Sequence, residues 1–277
     1  MNTKTFLITG ANSGFGKAFA TAALEAGHIV IGTVRTQENQ DAFNALCPGR
    51  SHAVILDVAD FDAVAPTVEK ILQEHRQIDV LINNAGYGHE GLLEESPLAD
   101  LRRQFDVNVF GAVAMIKAVL PAMRQRRAGH IINITSMGGF ITMPGIAYYC
   151  GSKFALEGIS EALAKEVAPF GVKVTAIAPG SFRTDWAGRS MSRTARSIPD
   201  YDPFFDPIRQ ARQERSGKQL GDPAKAARVL LEIVDMEQPP THLVLGSDAL
   251  KLIRQKFESL TNDFNAWEKV STSTDIS

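Results

Sequence analysis

Cysteine is scarce in this chain: Cys47 and Cys150 are the only two in 277 residues. Two cysteines cannot build a disulfide framework, and they fit a reducing, cytoplasmic setting. Neither sign of charge is in excess. Lys and Arg number 29 against 31 Asp and Glu, a formal net charge of −2. That balance gives no global footprint for nucleic acid or an anionic membrane, so neither is expected as a partner. No uninterrupted apolar run reaches the roughly 18 residues of a membrane span. Met1 to Lys4 leads straight into a strand-like run, so no signal peptide is expected. Repeats, low-complexity stretches and a metal-ligand cluster are also missing.

What remains is 44% hydrophobic and 22% charged, enough for a substantial core. Short, continuous apolar runs recur: Phe6–Thr9, His28–Val34, Ala53–Leu56, Val80–Ile82, Ile131–Ile134, Val172–Ala178 and Leu243–Leu245. Helical patterns separate them, at Phe15–Ala26, Thr36–Leu46, Phe61–His75, Pro97–Arg127, Phe154–Ala168, Asp222–Met236 and Ala249–Leu260. Continuous apolar strands alternating with helices predict an α/β fold, a doubly wound parallel sheet of about seven strands covered on both faces. No linker interrupts the alternation, so 1–267 is read as one domain and 268–277 as a polar, frayed tail. Residues 181–221 break the pattern. They show no sustained period, hold Trp186, Met191, Tyr201, Phe204 and Phe205, and carry eight Lys/Arg against five acids. A long structureless segment in a compact domain is usually functional, so it is read as a lid.

The first strand runs into Thr9-Gly10-Ala11-Asn12-Ser13-Gly14-Phe15-Gly16 and then a helix. Glycines there let the backbone turn sharply and approach a pyrophosphate seated at a helix N-terminus. The spacing of three residues between Gly10 and Gly14 differs from the commoner dinucleotide fingerprint, and other ligands such as S-adenosylmethionine use similar loops. At the end of the second strand, Ile29 to Gln37 holds no acid. An acid would bind a ribose 2′-hydroxyl, whereas Arg35 suits a 2′-phosphate. The expected cofactor is therefore NADP, with NAD as the alternative. Lys17 is assigned to solvent.

Farther on, Ser136 precedes Tyr149 by 13 residues, and Tyr149 precedes Lys153 by four. On a helix Tyr149 and Lys153 share a face. An ammonium beside a phenol is expected to lower its pKa, making a proton donor for a carbonyl oxygen that Ser136 also hydrogen-bonds. Tyr148, five residues from Lys153, is assigned to packing, as is Cys150. His89 and Glu90 are read as a surface loop.

Taken together, these motifs resemble the short-chain dehydrogenases/reductases in their single-domain, Rossmann-fold form. By that resemblance the glycine motif is Gly10 to Gly16, with Asn12, Ser13 and Phe15 inside it. The family's Asn-Asn-Ala-Gly signature is Asn83 to Gly86, and its adenine-side aspartate is Asp57, followed by Val58. The catalytic tetrad would be Asn108, Ser136, Tyr149 and Lys153. Asn84, Ala85, Gly86, Pro179, Gly180 and Thr184 would complete the cofactor site, Tyr149 and Lys153 also contacting the cofactor. The run Pro179 to Trp186 leans toward the hydroxysteroid- and retinol-dehydrogenase-like branch. The resemblance implies hydride transfer between NADP(H) and a carbonyl or secondary alcohol, with Tyr149 as general acid/base, Lys153 holding the nicotinamide ribose and Asn108 supporting a water. Lid aromatics point to an apolar small molecule. A homodimer or homotetramer through Pro97–Arg127 and Tyr148–Ala168 is expected. Two other readings remain: a non-catalytic NADP(H)-binding regulator on the same fold, which an incomplete tetrad would favour, and a methyltransferase, which would need an acid after the second strand.

Overall fold

The computed structural model describes residues 2–276 apart from 185, 187 and 189. Seven strands form one parallel sheet: β1 (Thr5–Ile8), β2 (Ile29–Val34), β3 (Ser51–Ile55), β4 (Val80–Asn83), β6 (Gly129–Ile134), β7 (Val172–Pro179) and β9 (His242–Leu245). Two further strands, β5 (Gly88–Glu90) and β8 (Met191–Arg193), pair with each other alone. The main sheet runs β3-β2-β1-β4-β6-β7-β9. Every neighbouring pair is parallel. The central strands have apolar side chains on both faces because helices cover both.

One face carries α1 (Gly14–Glu25), α2 (Gln37–Asn44) and α8 (Pro223–Asp235). Phe19, Ala23, Phe43, Leu230 and Ile233 pack there on Phe6, Ile8 and Ile82. The other face carries α3 (Phe61–His75), α5 (Gly111–Arg126) and α6 (Ala147–Val167). Val64, Val68, Met115, Val119 and Leu163 pack there on Leu7, Leu81 and Ile131. Strand order reverses between β1 and β4, so the crevice beyond their carboxyl ends is where a doubly wound sheet binds its ligand.

The expected strands and helices are present, with four differences. First, 181–221 is not structureless. Besides β8 it holds α7 (Asp202–Glu214). Its prolines hid that helix from a periodicity reading. Pro203 sits in the first turn, where its missing N–H has no intrahelical partner anyway. The core fixes α7 through Phe205, which is fully buried and lies where a Cβ on Gly145 would stand. Arg196 adds ion pairs to Glu95, Asp202 and Asp206. The lid-reading residues Asp185 and Arg189 lie outside the described residues.

Second, His89 and Glu90 are not a surface loop but buried strand residues. Third, the last helix, α9 (Ser247–Thr272), extends into the 268–277 stretch that was read as frayed, as far as Thr272. Fourth, one helical stretch among the described residues, Leu98–Arg126, contains an 18-residue window of mean hydropathy 1.5, by length and composition apolar enough to cross a membrane. Counting uninterrupted runs missed it because Lys117 breaks the run. In this fold its Met115, Ile116, Val119 and Met123 pack into the core.

Candidate active site

The glycine loop leaves β1 at Thr9. Gly10 and Gly14 both take positive φ, +64° and +51°, which side chains disfavour. Gly16 is required by contact instead. A Cβ there would stand 2.2 Å from the Gly10 carbonyl oxygen and 2.5 Å from Asn84 Nδ2. Asn84 locks the loop: its Nδ2 donates to the carbonyls of Thr9 (2.9 Å) and Gly10 (3.1 Å). Thr9 Oγ1 in turn accepts from the backbone N–H groups of Asn84 and Ala85. Asn83 carries the same sheet stitching inward through Asn133 (2.8 Å) and Ser160 (2.8 Å).

Ser13 precedes α1 but its side chain does not cap it. The first-turn N–H groups therefore have no side-chain acceptor and are suited to an anion. They open on a cleft of about 1040 Å³. Gly10, Asn12, Ser13, Gly14 and Phe15 line it, together with Arg35, Asp57, Val58, Asn84, Ala85 and Gly86. Pro179, Gly180 and Thr184 line it from the end of β7. Arg35 and Asp57 are exposed and Val58 is buried. Lys17 faces solvent, as assigned.

Ser136, Tyr149 and Lys153 line the same cleft. Ser136 follows β6 by two residues and opens a 3-10 turn, and its Oγ accepts from the Gly138 N–H at 3.0 Å. That bond leaves the hydroxyl proton free to donate. Tyr149 and Lys153 lie one turn apart on α6, with the Lys153 ammonium nitrogen 5.7 Å from the Tyr149 ring centre. Lys153 Nζ donates to the Ile134 carbonyl at 2.8 Å. Asn108 stands behind the wall, in a π-helical turn (Asp106–Phe110) between α4 (Leu98–Phe105) and α5. Its Oδ1 accepts from the Tyr87 N–H, and its Nδ2 donates to the Tyr87 carbonyl and Ser152 Oγ, each at 3.1 Å. Such turns recur at functional positions. Tyr148 packs, as assigned, and its hydroxyl donates to the Ser96 carbonyl at 2.8 Å. Cys150 is buried, and burial pushes its thiol up.

One expectation fails. Lys153 does not hold the Tyr149 phenol low. Burial pushes that phenol up to about 12, with the Ser136 hydroxyl pulling the other way. Burial also lowers Lys153 to about 8, against the opposing pull of Glu157. The ammonium is turned to Ile134, so the desolvation of both groups outweighs their mutual effect.

Lys153 therefore sets a pH dependence with a definite sign. Its folded pKa lies below its unfolded value of 10.5, so the cost of burying the ammonium is fully present below about pH 8. Between there and pH 10.5 the unfolded chain binds the extra proton, and stability rises with pH. Lys153→Met removes this term. Urea unfolding at pH 7 and pH 10 should show wild type gaining up to about 3 kcal/mol on the variant across that interval. A constant gap would contradict the buried, desolvated lysine.

Of the wall opposite Tyr149, the sequence singled out Trp186 and Met191 in the 181–221 segment but not Met143, Ile208 and Leu252, which line it beside them, with Arg212, Arg215 and Gln219 at its edge. The Trp186 ring centre lies 5.0 Å from that of Tyr149. Gln219 Oε1 is buried with no hydrogen-bond partner among the described residues. Glu90 anchors this wall from beneath, bonded to Arg212 (2.6 Å), Arg193 (3.3 Å) and Arg209 (3.5 Å).

A family model described as short chain dehydrogenase matches residues 4–194. The chain belongs to the short-chain dehydrogenases. Members of this family act on a CH–OH/C=O pair, and this chain is an oxidoreductase of that kind. A short-chain dehydrogenase from Streptomyces avermitilis superposes with a TM-score of 0.92 at 41% identity, covering 99% of each chain. A 3-ketodihydrosphingosine reductase from Bacteroides thetaiotaomicron is 41% identical over 249 residues, 89% of each protein. ElxO, solved with NADP bound, superposes with a TM-score of 0.75 at 26% identity, covering 90% of this chain and all of that one. The family's dinucleotide fits the cleft seen here: an uncapped helix N-terminus, a loop packed too tightly for a Cβ at Gly16, and a guanidinium at Arg35. Among the described residues no group of His, Cys, Asp and Glu is arranged to hold a metal ion.

Proposed function

We propose that this short-chain dehydrogenase transfers hydride between NADP(H) and an apolar carbonyl or secondary alcohol, with Tyr149 as general acid/base. The observation that carries the reading is the convergence of Ser136, Tyr149 and Lys153 on one cleft with the glycine loop. When bound, the dinucleotide supplies or accepts the hydride. The protein does the rest. In reduction, negative charge develops on the substrate oxygen. Tyr149, protonated throughout the neutral range, gives it a proton, and Ser136 donates a hydrogen bond to the same atom. Lys153 is mostly charged at pH 7 and favours the phenolate that this step leaves. Asn108 supports the proton path behind Lys153.

Two observations support an apolar substrate: the Met143, Trp186, Met191, Ile208 and Leu252 wall, and the 3-ketodihydrosphingosine in the name of the Bacteroides relative. The wall belongs largely to 181–221, which on this reading closes over the substrate. The free cysteines fit the expected cytoplasmic setting.

Arg35 supports NADP over NAD, as does the NADP bound to ElxO. Arg35→Ala should weaken NADPH binding about 10- to 100-fold, the size of one charge-assisted contact, and leave NADH binding nearly unchanged. Parallel fluorescence titrations check this. Equal losses for both dinucleotides would remove Arg35 as the 2′-phosphate ligand.

A further inference from the structure

The final helix outruns the domain that carries it. In α9, Ala249 and Ile253 are buried beneath Ile141, and Phe257 touches Phe140 edge-on at 6.1 Å between ring centres. From 261 to 276 every residue is exposed. At 1.5 Å per residue, roughly 18 Å of helix projects past the last core contact. A lone helix of that length is marginal in water, so an outside contact is the usual source of its stability.

Most large apolar residues of this helix are regularly spaced. Leu250, Ile253, Phe257, Leu260, Phe264 and Trp267 follow each other at intervals of three, four, three, four and three, with Leu252 and Val270 off the row. That is a 3.5-residue repeat, the a and d positions of a coiled-coil seam. Phe257 is 50% exposed, Phe264 67% and Trp267 62%. A helix that only covered its own domain would not keep the repeat where no domain lies beneath it.

The flanking charges give the orientation. The e and g positions hold Arg254 and Lys256 in the first half, and Asp263 and Glu268 in the second. No ion pair within the chain involves any of the four, among the described residues. A parallel copy would set like charge against like. An antiparallel copy sets the basic half against the acidic half, around a two-fold axis near Asn262.

We propose that the outer half of α9 pairs antiparallel with the same helix of a second copy of this chain. Phe257 then packs on Trp267 of the second copy, and Leu260 on its Phe264, each contact occurring twice. Arg254 meets Glu268 of the second copy, also twice. Asp263 meets its own copy beside the axis, the one like-charge contact of this register. The surface is separate from the catalytic cleft, so the proposal stands or falls apart from the reaction.

Sedimentation equilibrium of the full chain tests it. Arg254→Glu and Glu268→Arg each place two like-charge pairs in the seam, and each should halve the mass of the assembly at a concentration where wild type is associated. An equimolar mixture of the two variants restores both pairs as opposite charges and should restore the mass. Asp263→Asn removes the like-charge contact and should tighten association. All three positions lie on an exposed helix surface, and unchanged NADPH binding confirms folding in each variant. Equal mass for wild type and both single variants would overturn the proposal. So would flotation of wild type with lipid vesicles that Trp267→Glu abolishes without changing the mass, which would assign the face to a membrane surface.

Discussion

Tyr149→Phe should lower kcat by about 10²- to 10⁴-fold, the range for losing a positioned proton donor, while NADPH binds within about twofold of wild type. The phenol is fully buried and its pKa stands near 12, so at neutral pH the proton sits on Tyr149 and waits for an acceptor. Other groups reach the cleft, but none replaces it. Ser136 has a hydroxyl proton to donate as a hydrogen bond, but an aliphatic alcohol is about as weak an acid as the product alcohol and a poorer proton donor than a phenol. Lys153 is tied to the Ile134 carbonyl. Cys150 is also on α6 but packs with Ile146 behind the tyrosine. Removing the hydroxyl takes away its hydrogen bonds with Ser136 and Trp186, while the ring still packs on Trp186. Stability should therefore fall by no more than about 1–2 kcal/mol, the size of one or two hydrogen bonds. Stopped-flow reduction and a binding titration on one preparation separate the two effects. Residual turnover within tenfold of wild type would reject the proton-donor role.

Gly16→Ala should abolish dinucleotide binding, a loss of at least about 100-fold, and lower stability by about 1–3 kcal/mol, the cost of overpacking. The methyl group would stand 2.2 Å from the Gly10 carbonyl oxygen. Backbone cannot move aside as a flexible side chain can. The nearest side chain, Asn84, holds the loop by two hydrogen bonds, and its Nδ2 would lie 2.5 Å from the new atom. The strain therefore spreads to Gly10 and to the helix end that faces the pyrophosphate. Gly14→Ala differs: its Cβ would meet only Thr184, at 3.7 Å, and its cost comes from a φ of +51°. Gly16→Ala should be the worse of the two for binding. Isothermal titration with NADPH decides it, and equal affinity in both variants would contradict the packing argument.

The sheet and the catalytic side of the cleft were legible because their signals are local. Thr9 to Gly16 sits between an apolar strand and an alanine-rich helix, and Tyr149 and Lys153 declare themselves by a four-residue spacing. The opposite wall was not legible because it depends on distant partners. β5 and β8 are three residues each and pair across about a hundred residues, too short for any period to show. Glu90 looked like a loop acid because a carboxylate is rarely buried alone, and Arg193, Arg209 and Arg212 lie far along the chain. Prolines 199, 203 and 207 concealed α7 by reading as breakers. The phenol was misjudged for a similar reason. Spacing places Lys153 beside Tyr149, but only the folded chain shows the ammonium turned to Ile134 and both groups out of water. Arg35, which counting from the glycine loop singled out, lies on the cleft wall.

Steady-state oxidation of NADPH in the presence of a long-chain aliphatic ketone, with NADH and a short ketone as comparisons, tests the central claim most directly. The account predicts turnover with NADPH, a clear preference for the long-chain ketone, and loss of that turnover in Tyr149→Phe. Tight NADPH binding without oxidation by any carbonyl compound, or of any alcohol with NADP in reverse, would contradict it and favour a cofactor-binding regulator on the same fold.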